Sequence, residues 1–483
     1  MSNPNKTKKP SRIGHIVKFV TRKTKKRTPP KVVLNLGLDL NAATETETDD
    51  ETYYSASSYN IDEVIKNCPD SGVCLAFGRY SEDIKQMFDF TSFKHIDDES
   101  PINIIGEDSD NGFINQIAYS IKIEGLFGKP DYDYKAYAVL KSAQTENSDN
   151  LLYEFLVGEF INRQNLRFPC FLETYGLFKY KNEATWTQMQ NPTNDKTILN
   201  PKNIETLLLK DAIHIPYDIP YDTACTQAKY LAILIQHLKG ITTLDKKIKS
   251  IPFVSQDLLY VLFQIYVPLD LLKDNFTHYD LHLNNVVLYT PAKDKYIEYH
   301  YHFKDGKEVV FKSQYIAKLI DYGQSYFKDE TTGMDSKKIY DALCGEPVCK
   351  NCGIGNGFLL LNLPPDNKYY VNSKAPNVSY DLMILNNIKQ KFKSISYMKI
   401  PYIDNISVRY LTLDGTPEVK NTGLPNNQIN NVQDAADYFI SEVQKDDAQT
   451  INEDFYKRFT SLGQLHIYCN EKDKPMEFIP NVN

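Results

Sequence analysis

Apolar and polar residues alternate along Lys135 to Lys141 (KAYAVLK), which predicts a strand carrying Tyr137, Val139 and Lys141 on one face. Strand-like patterning runs from about residue 60 to 237, broken by one helical stretch at 149–165. Segment 181–226 is polar and contains prolines, and it reads as an insertion among the strands. Strand character returns at Lys229 to Leu238 (KYLAILIQHL). Beyond Gly240 helical periods dominate. Residues 255–274 (SQDLLYVLFQIYVPLDLLKD) are strongly apolar, with Pro268 expected to kink or end the helix. A further helix is expected from Ser379, whose hydroxyl can cap the first turn, and an amphipathic one from Val432 to Val443. A strand-rich half followed by a helical half predicts an α+β chain with two lobes and a cleft between them.

Charge changes this picture only at the start of the chain. Eleven of the 55 Lys and Arg residues fall within 1–31, with no acid among them; the other 44 face 62 acidic residues, a net charge of −18. An acidic, Thr-rich stretch follows (AATETETDDETYY, 42–54), so residues 1–55 read as a disordered basic then acidic arm. The basic part suits a nucleic-acid contact or a nuclear address, and equally a solubilising tail. No apolar run approaches the length of a membrane span, and MSNPNKTKKP lacks the apolar core of a secretory signal. The expectation is an intracellular protein that makes no membrane contact and holds its eight cysteines as free thiols. Cys344, Cys349 and Cys352 cluster as C-x4-C-x2-C without a nearby fourth ligand, a loop of thiols or a zinc knuckle.

The segment richest in chemistry is Thr277 to Leu288 (THYDLHLNNVVL), in which His278, Asp280, Leu281 and Asn285 are followed by an apolar strand. It resembles the protein-kinase catalytic loop at every spacing of H-x-D-L-x-x-x-N. One carboxylate must meet the attacking hydroxyl, and an amide oxygen a few residues on must hold a metal ion, so both belong on one rigid loop. In Lys318 to Phe327 (KLIDYGQSYF) a second apolar strand delivers Asp321, and Gly323 offers a sharp backbone turn. This resembles the metal-binding D-F-G element with Tyr322 in place of Phe. Mg²⁺ is a hard cation that takes carboxylate and phosphate oxygens, and Asp321 with Asn285 matches that demand.

The resemblance to the protein-kinase-like superfamily covers about residues 104–395. It implies a two-lobed fold with a strand-rich N-lobe at 60–240 and a C-lobe at 241–483, the latter with a β-hairpin insertion at 290–316 and a C-terminal helical extension. It also implies ATP and Mg²⁺ as cofactors, with Asp280, Lys141, Asn285 and Asp321 as catalytic residues and Asn285 and Asp321 as metal ligands. Lys141 resembles the V-A-I-K lysine that steadies the α- and β-phosphates. Its carboxylate partner is Glu154 or Glu159. Glu154 is favoured because YEFLVG followed by NLRFPCFLETYG looks like the same region in divergent Ser/Thr kinases of giant DNA viruses, whereas Glu159 lies at the more usual distance. Gly112 stands for the last glycine of a poorly matched phosphate loop (105–119, with Gly106), and Gln236 and Leu238 are further cofactor-binding candidates. Asp381 resembles the helix aspartate that braces the catalytic loop.

Some positions depart from the pattern. Tyr279 replaces the arginine before the catalytic aspartate, and His282 stands where Ser/Thr-specific kinases carry lysine. H-x-D-L-H-x-x-N followed by I-D-Y also resembles small-molecule kinases of the choline and aminoglycoside type. The implied partner is therefore a protein with a Ser or Thr hydroxyl, or a small alcohol, and a pseudokinase scaffold is a third reading. Host cytoplasm, virion and nucleus all fit the viral likeness. Between the two motifs, YIEYHYHFKDGKEVVFKSQYI (296–316) reads as two strands around Asp305-Gly306, a hairpin signal. His300 and His302 share a face of it and could bind metal, although a solvated face is the plainer reading.

Overall fold

The computed structural model describes residues 61–78, 80–105, 112–123, 131–144, 151–192, 196–200, 202–206, 228–343, 359–362, 368–371, 373–394, 400–408 and 427–481. The arm at 1–55, Gly106 and the cysteines at 344, 349 and 352 lie outside them. The fold is α+β.

Three short helices open it: α1 (Ile61–Asn67), α2 (Ser71–Phe77) and α3 (Ser81–Phe88). Strand patterning had been expected from about residue 60. Instead, Asp70 accepts the amide of Gly72 as an N-cap, and Ile84 and Phe88, four apart, bury one face of α3. These helices pack on a six-stranded sheet of order β1-β2-β3-β6-β4-β5: β1 (Ile102–Ile104), β2 (Gly112–Ile123), β3 (Tyr132–Ala143), β4 (Thr174–Tyr180), β5 (Ile204–Thr206) and β6 (Leu231–Gln236). Val64, Leu75, Ile84 and Phe88 share a core with Ile117, Tyr119, Ala136, Ala138, Leu140 and Leu234. Because β3 alternates, Tyr134 to Leu140 bury every second side chain there, while Tyr137, Val139 and Lys141 occupy the other face. Lys141 reaches α4 (Leu151–Asn165) from that face. The polar segment 181–226 is more than an interruption, since it supplies α5 (Glu183–Gln190) and the edge strand β5.

Cys68 and Cys74 are joined in a disulfide, which corrects the expectation of free thiols. The turn between α1 and α2 brings their Cα atoms to 6.0 Å, a spacing a disulfide can bridge.

In the second half, α6 (Leu258–Leu271) is buried on all sides from Leu258 to Leu269, as its uniformly apolar sequence requires. Pro268 sits inside it, and the helix ends within one further turn. Short strands β7 (Thr242–Thr243), β8 (Phe276–Thr277), β9 (Val286–Tyr289), β12 (Ile316–Leu319) and β13 (Tyr326–Phe327) frame the motif loops. The expected hairpin is present as β10 (Lys295–His302) and β11 (Glu308–Ser313), paired antiparallel. Two small pairs follow, β14 (Leu359–Asn362) with β15 (Lys368–Val371), and β16 (Ile406–Val408) with β17 (Asn427–Ile429). Among the described residues, helices α7 (Met383–Ser394), α8 (Val432–Val443) and α9 (Asp446–Tyr456) are the longest of those that follow α6. Ser379 makes no side-chain cap; its backbone is already helical, so the hydroxyl is not set to reach the amides ahead.

The expected helical C-terminal extension is partly strand. β18 (Thr460–Tyr468) and β19 (Glu477–Pro480) join the hairpin in a sheet of order β11-β10-β18-β19. In β18, Gly463, Leu465 and Ile467 alternate inward, a period of two that helical readings overlook. Among the described residues no helix is long and apolar enough to cross a membrane.

Candidate active site

Strand pairing explains how two motifs some forty residues apart become one site. β9 begins immediately after Asn285, and β12 ends two residues before Asp321. Their antiparallel register sets Leu319 opposite Val286, and the Ile320 amide donates to the Asn285 carbonyl (3.1 Å). On the outer side, β8 pairs with β13, with Thr277 opposite Tyr326. The loop 278–285 and the turn at 321–323 are thereby held edge to edge.

Within the loop, His278 is fully buried; its Nε2–H donates to the Ile320 carbonyl (3.0 Å) and its Nδ1 accepts the Asp280 amide (3.3 Å). Burial pushes its pKa down to about 4, so the ring is a neutral strut near pH 7. Asp381 accepts the amides of His278 (2.8 Å) and Tyr279 (3.0 Å) on its two carboxylate oxygens. Its burial pushes the pKa up to about 7, opposed by those two bonds. Asn285 Nδ2 donates to the Asp280 carbonyl (2.9 Å) and to Asp280 Oδ2 (3.1 Å). Committing the nitrogen this way leaves the amide oxygen as the group to meet a cation.

Across from the loop, Lys141 Nζ donates to Glu154 Oε2 (2.7 Å) and to Asp321 Oδ1 (2.8 Å). Glu154 is buried, Lys141 nearly so, and Asp321 about one-third exposed. Burial opposes the charge on Asp321, but the Lys141 ammonium outweighs it and holds the pKa below the ordinary carboxylate range. The sharp turn belongs to Asp321 itself (φ 69°), not to Gly323, which is outside the left-handed region. Asp tolerates that region better than most residues. Tyr279 turns the same way (φ 62°).

The remaining candidates are more scattered. Glu159 lies on α4 near Arg163, with burial raising its pKa, while Glu154 takes Lys141. Gly112 opens β2 opposite Ala143, where a Cβ would come within 2.7 Å of the Ser142 carbonyl; close backbone approach accounts for this glycine. Gln236 is buried, and its Nε2 donates to the Leu75 carbonyl (2.7 Å) rather than to the Lys141 cluster. Leu238 is buried just beyond β6.

No protein-family profile matches the chain. The chain is similar to Probable kinase 098L of Invertebrate iridescent virus 3, with 24% identity over 315 residues. That stretch is 61% of this chain and 50% of the relative, so the chain spans about half the length of the curated relative it matches.

Several side chains support the site through contacts that the motifs do not specify. The Tyr322 hydroxyl donates to the Leu319 carbonyl (2.7 Å) and accepts the Leu172 amide (3.2 Å), so the extra oxygen relative to Phe is satisfied. Tyr279, where arginine was expected, is buried and donates to the Ala375 carbonyl (2.7 Å). That bond ties the loop to the segment carrying Lys374-Ala375-Pro376. Helix α4 is clamped to the residues after Asp321: Tyr153 donates to the Ser325 carbonyl and bonds Ser336 Oγ (2.8 Å), and Arg163 pairs with Asp329. Lys318 is fully buried, with Nζ on the Phe171 carbonyl (2.9 Å). A lysine inside the apolar run IAKLI was its one legible signal.

Proposed function

We propose that this chain is an ATP-dependent phosphotransferase with a two-lobed protein-kinase-like fold, and that its acceptor is a Ser or Thr hydroxyl on a protein. The observation that carries the reading is the double contact of Lys141 with Glu154 and Asp321, set against Asp280 and Asn285 on the adjoining loop. The likeness to a viral protein named a probable kinase supports the phosphotransferase part.

In this reading Lys141 steadies the nucleotide phosphates. The residues fit Mg²⁺, since Asp321 keeps its negative charge and Asn285 offers an amide oxygen, both hard donors. When bound there, the ion screens the negative charge of the phosphate oxygens. Asp280 orients the acceptor hydroxyl and takes its proton late, as the new oxygen–phosphorus bond forms and the bond to the nucleotide diphosphate breaks. Asn285 fixes the Asp280 carboxylate from one side, and Asp381 and His278 keep the loop from relaxing. Positioning and electrostatics supply most of the acceleration in such transfers.

A small-alcohol acceptor is the second reading, and His282 favours it. Its Nε2 lies 3.8 Å from Asp280 Oδ2, and burial lowers its pKa, so it does not replace a fixed lysine charge. Beside it, His282, Leu283, Asn284, Asp245 and Lys391 line a hollow of about 530 Å³.

Transfer of labelled γ-phosphate from Mg-ATP tests both readings, comparing the native chain with Asp280→Asn and separating protein from small-molecule label. Label on protein, lost in the variant, supports the protein kinase. Label only on small alcohols moves the assignment to the second reading. No transfer to either acceptor, with nucleotide still bound, rejects both.

A further inference from the structure

Three histidines meet on a sheet face that the phosphotransfer reading leaves unused. On β10, Tyr299 and Tyr301 point into the core, so His300 and His302 occupy the opposite face. β18 runs parallel beside β10 and sets His466 opposite His300; β11 sets Glu308 opposite His302. The rings stack, with centroids 4.6 Å apart for His300 and His466 and 5.2 Å apart for His302 and His466. One ligand atom each from His300, Glu308 and His466 lie within 4.8 Å of one another.

We propose that this face is a binding site for a borderline divalent transition-metal ion of the zinc class, with His300, Glu308 and His466 as ligands. Two imidazoles and a carboxylate are a donor set that suits zinc and its neighbours and selects against Mg²⁺. The supporting bonds match what such ligands need. His300 contacts Glu308 Oε1 through Nδ1 (2.9 Å) and Glu298 Oε1 through Nε2 (2.8 Å), and Gln464 holds Glu298 in turn (2.8 Å). A carboxylate on the far nitrogen fixes the tautomer and orientation of a metal-binding histidine.

His466 provides the independent sign. Its Nδ1 lies 2.9 Å from His302 Nε2, while its Nε2 is buried with no hydrogen-bond partner. With Nδ1–H donating to His302, the Nε2 presents a bare lone pair. A buried polar atom left unbonded is costly, and a cation there would repay it. A tetrahedral ion with bonds of about 2.0–2.2 Å holds its ligand atoms roughly 3.3–3.6 Å apart, so the widest separation needs to close by about 1 Å, while the His300–Glu308 pair, now at 2.9 Å, opens slightly to admit the ion. The ion would staple β18 to the hairpin from which it is separated by more than 140 residues.

The test is a titration of the full, metal-stripped chain with Co²⁺, then competition with Zn²⁺. The expected result is one equivalent bound with a Kd below about 10 µM, a cobalt spectrum without a sulfur charge-transfer band, and a rise in Tm with Zn²⁺. Affinity should fall at least tenfold in His466→Asn and in Glu308→Gln, and about 10- to 100-fold in Glu298→Gln. The Glu308 side chain is 42% exposed at the start of β11, so its variant keeps the test decisive should His466→Asn not fold. Weaker binding, a thiolate spectrum abolished by Cys349→Ser, or affinity unchanged in the folded variants would overturn the site.

Discussion

The cluster around Lys141 and the histidine face of β10 both gather charged groups from distant parts of the chain, yet they are built in opposite ways. The first hangs on strand ends. Asp321 follows β12, the 278–285 loop leads into β9, and Asp321 and Tyr279 adopt left-handed backbone. The second lies on the flat middle of a sheet, where register alone fixes which side chains are neighbours. Loops held at strand ends can aim a carboxylate into a cleft, which is why chemistry gathers on them. A sheet face places side chains rigidly but close to parallel, a geometry suited to holding an ion rather than to guiding a transfer.

The sharpest way to break this contrast is to remove the groups on the loops. Asp280→Asn is expected to lower γ-phosphate transfer by roughly 10²- to 10⁴-fold, and Asp321→Ala to abolish metal-dependent turnover, both in single-turnover assays with Mg-ATP. Full activity in either variant would mean that the loop cluster is not the chemical site.

Lys141→Met should cost about 10²- to 10³-fold and change the pH profile as well. In the native chain the ammonium holds the Asp321 pKa below its unfolded value. That pairing contributes stability and charge above the ordinary carboxylate range, and both are lost as pH falls through the folded value. Without Lys141 the acid limb of the rate profile should move to higher pH. A limb that stays in place would show that Lys141 does not govern Asp321.

Lys318 sharpens the comparison from the scaffold side, since it sits in β12 directly behind Asp321. Burial pushes its pKa down to about 8 from the 10.5 of a free lysine. Below pH 8 the charge is carried in both states and the folded one bears the burial cost. As pH rises from 8 to 10.5 the folded state is already neutral at this residue, and the Lys318 contribution to stability should increase by about 3 kcal/mol. Urea unfolding at pH 7.5 and 10 should show the native chain gaining on Lys318→Met by about 2 kcal/mol, a difference in which the ionisation of the buried tyrosines, common to both chains, cancels. The smallest effect is expected from Tyr279→Phe, which deletes the bond to the Ala375 carbonyl and should cost about 1 kcal/mol in the same assay.

Sequence patterning reached the elements whose periodicity is local. β3, α4, α8 and the β10–β11 hairpin lie where alternation, helical spacing and an Asp-Gly turn put them. It missed the helices at 61–88 and the strands at 460–480, where short elements offer only two or three periods and a few buried contacts decide the outcome. Ser379 shows the same limit at one residue: composition marks a cap, but the backbone angles decide whether the hydroxyl can serve.

By itself the sequence determined the loop constellation of Asp280, Asn285 and Asp321, because each short motif is joined to the apolar strand that positions it. It also placed Lys141 on the right face of its strand, since alternation fixes facing. The family resemblance favoured Glu154 over Glu159 as the contact of Lys141 while spacing pointed to Glu159, and the tertiary structure decided between them, because two carboxylates on one helix are separated by docking, not by spacing. His466 likewise met His300 only through the parallel pairing of β10 with β18. Contacts across more than 160 residues leave no local signature, for the chain between them can vary freely while the register of the two strands alone sets which side chains touch.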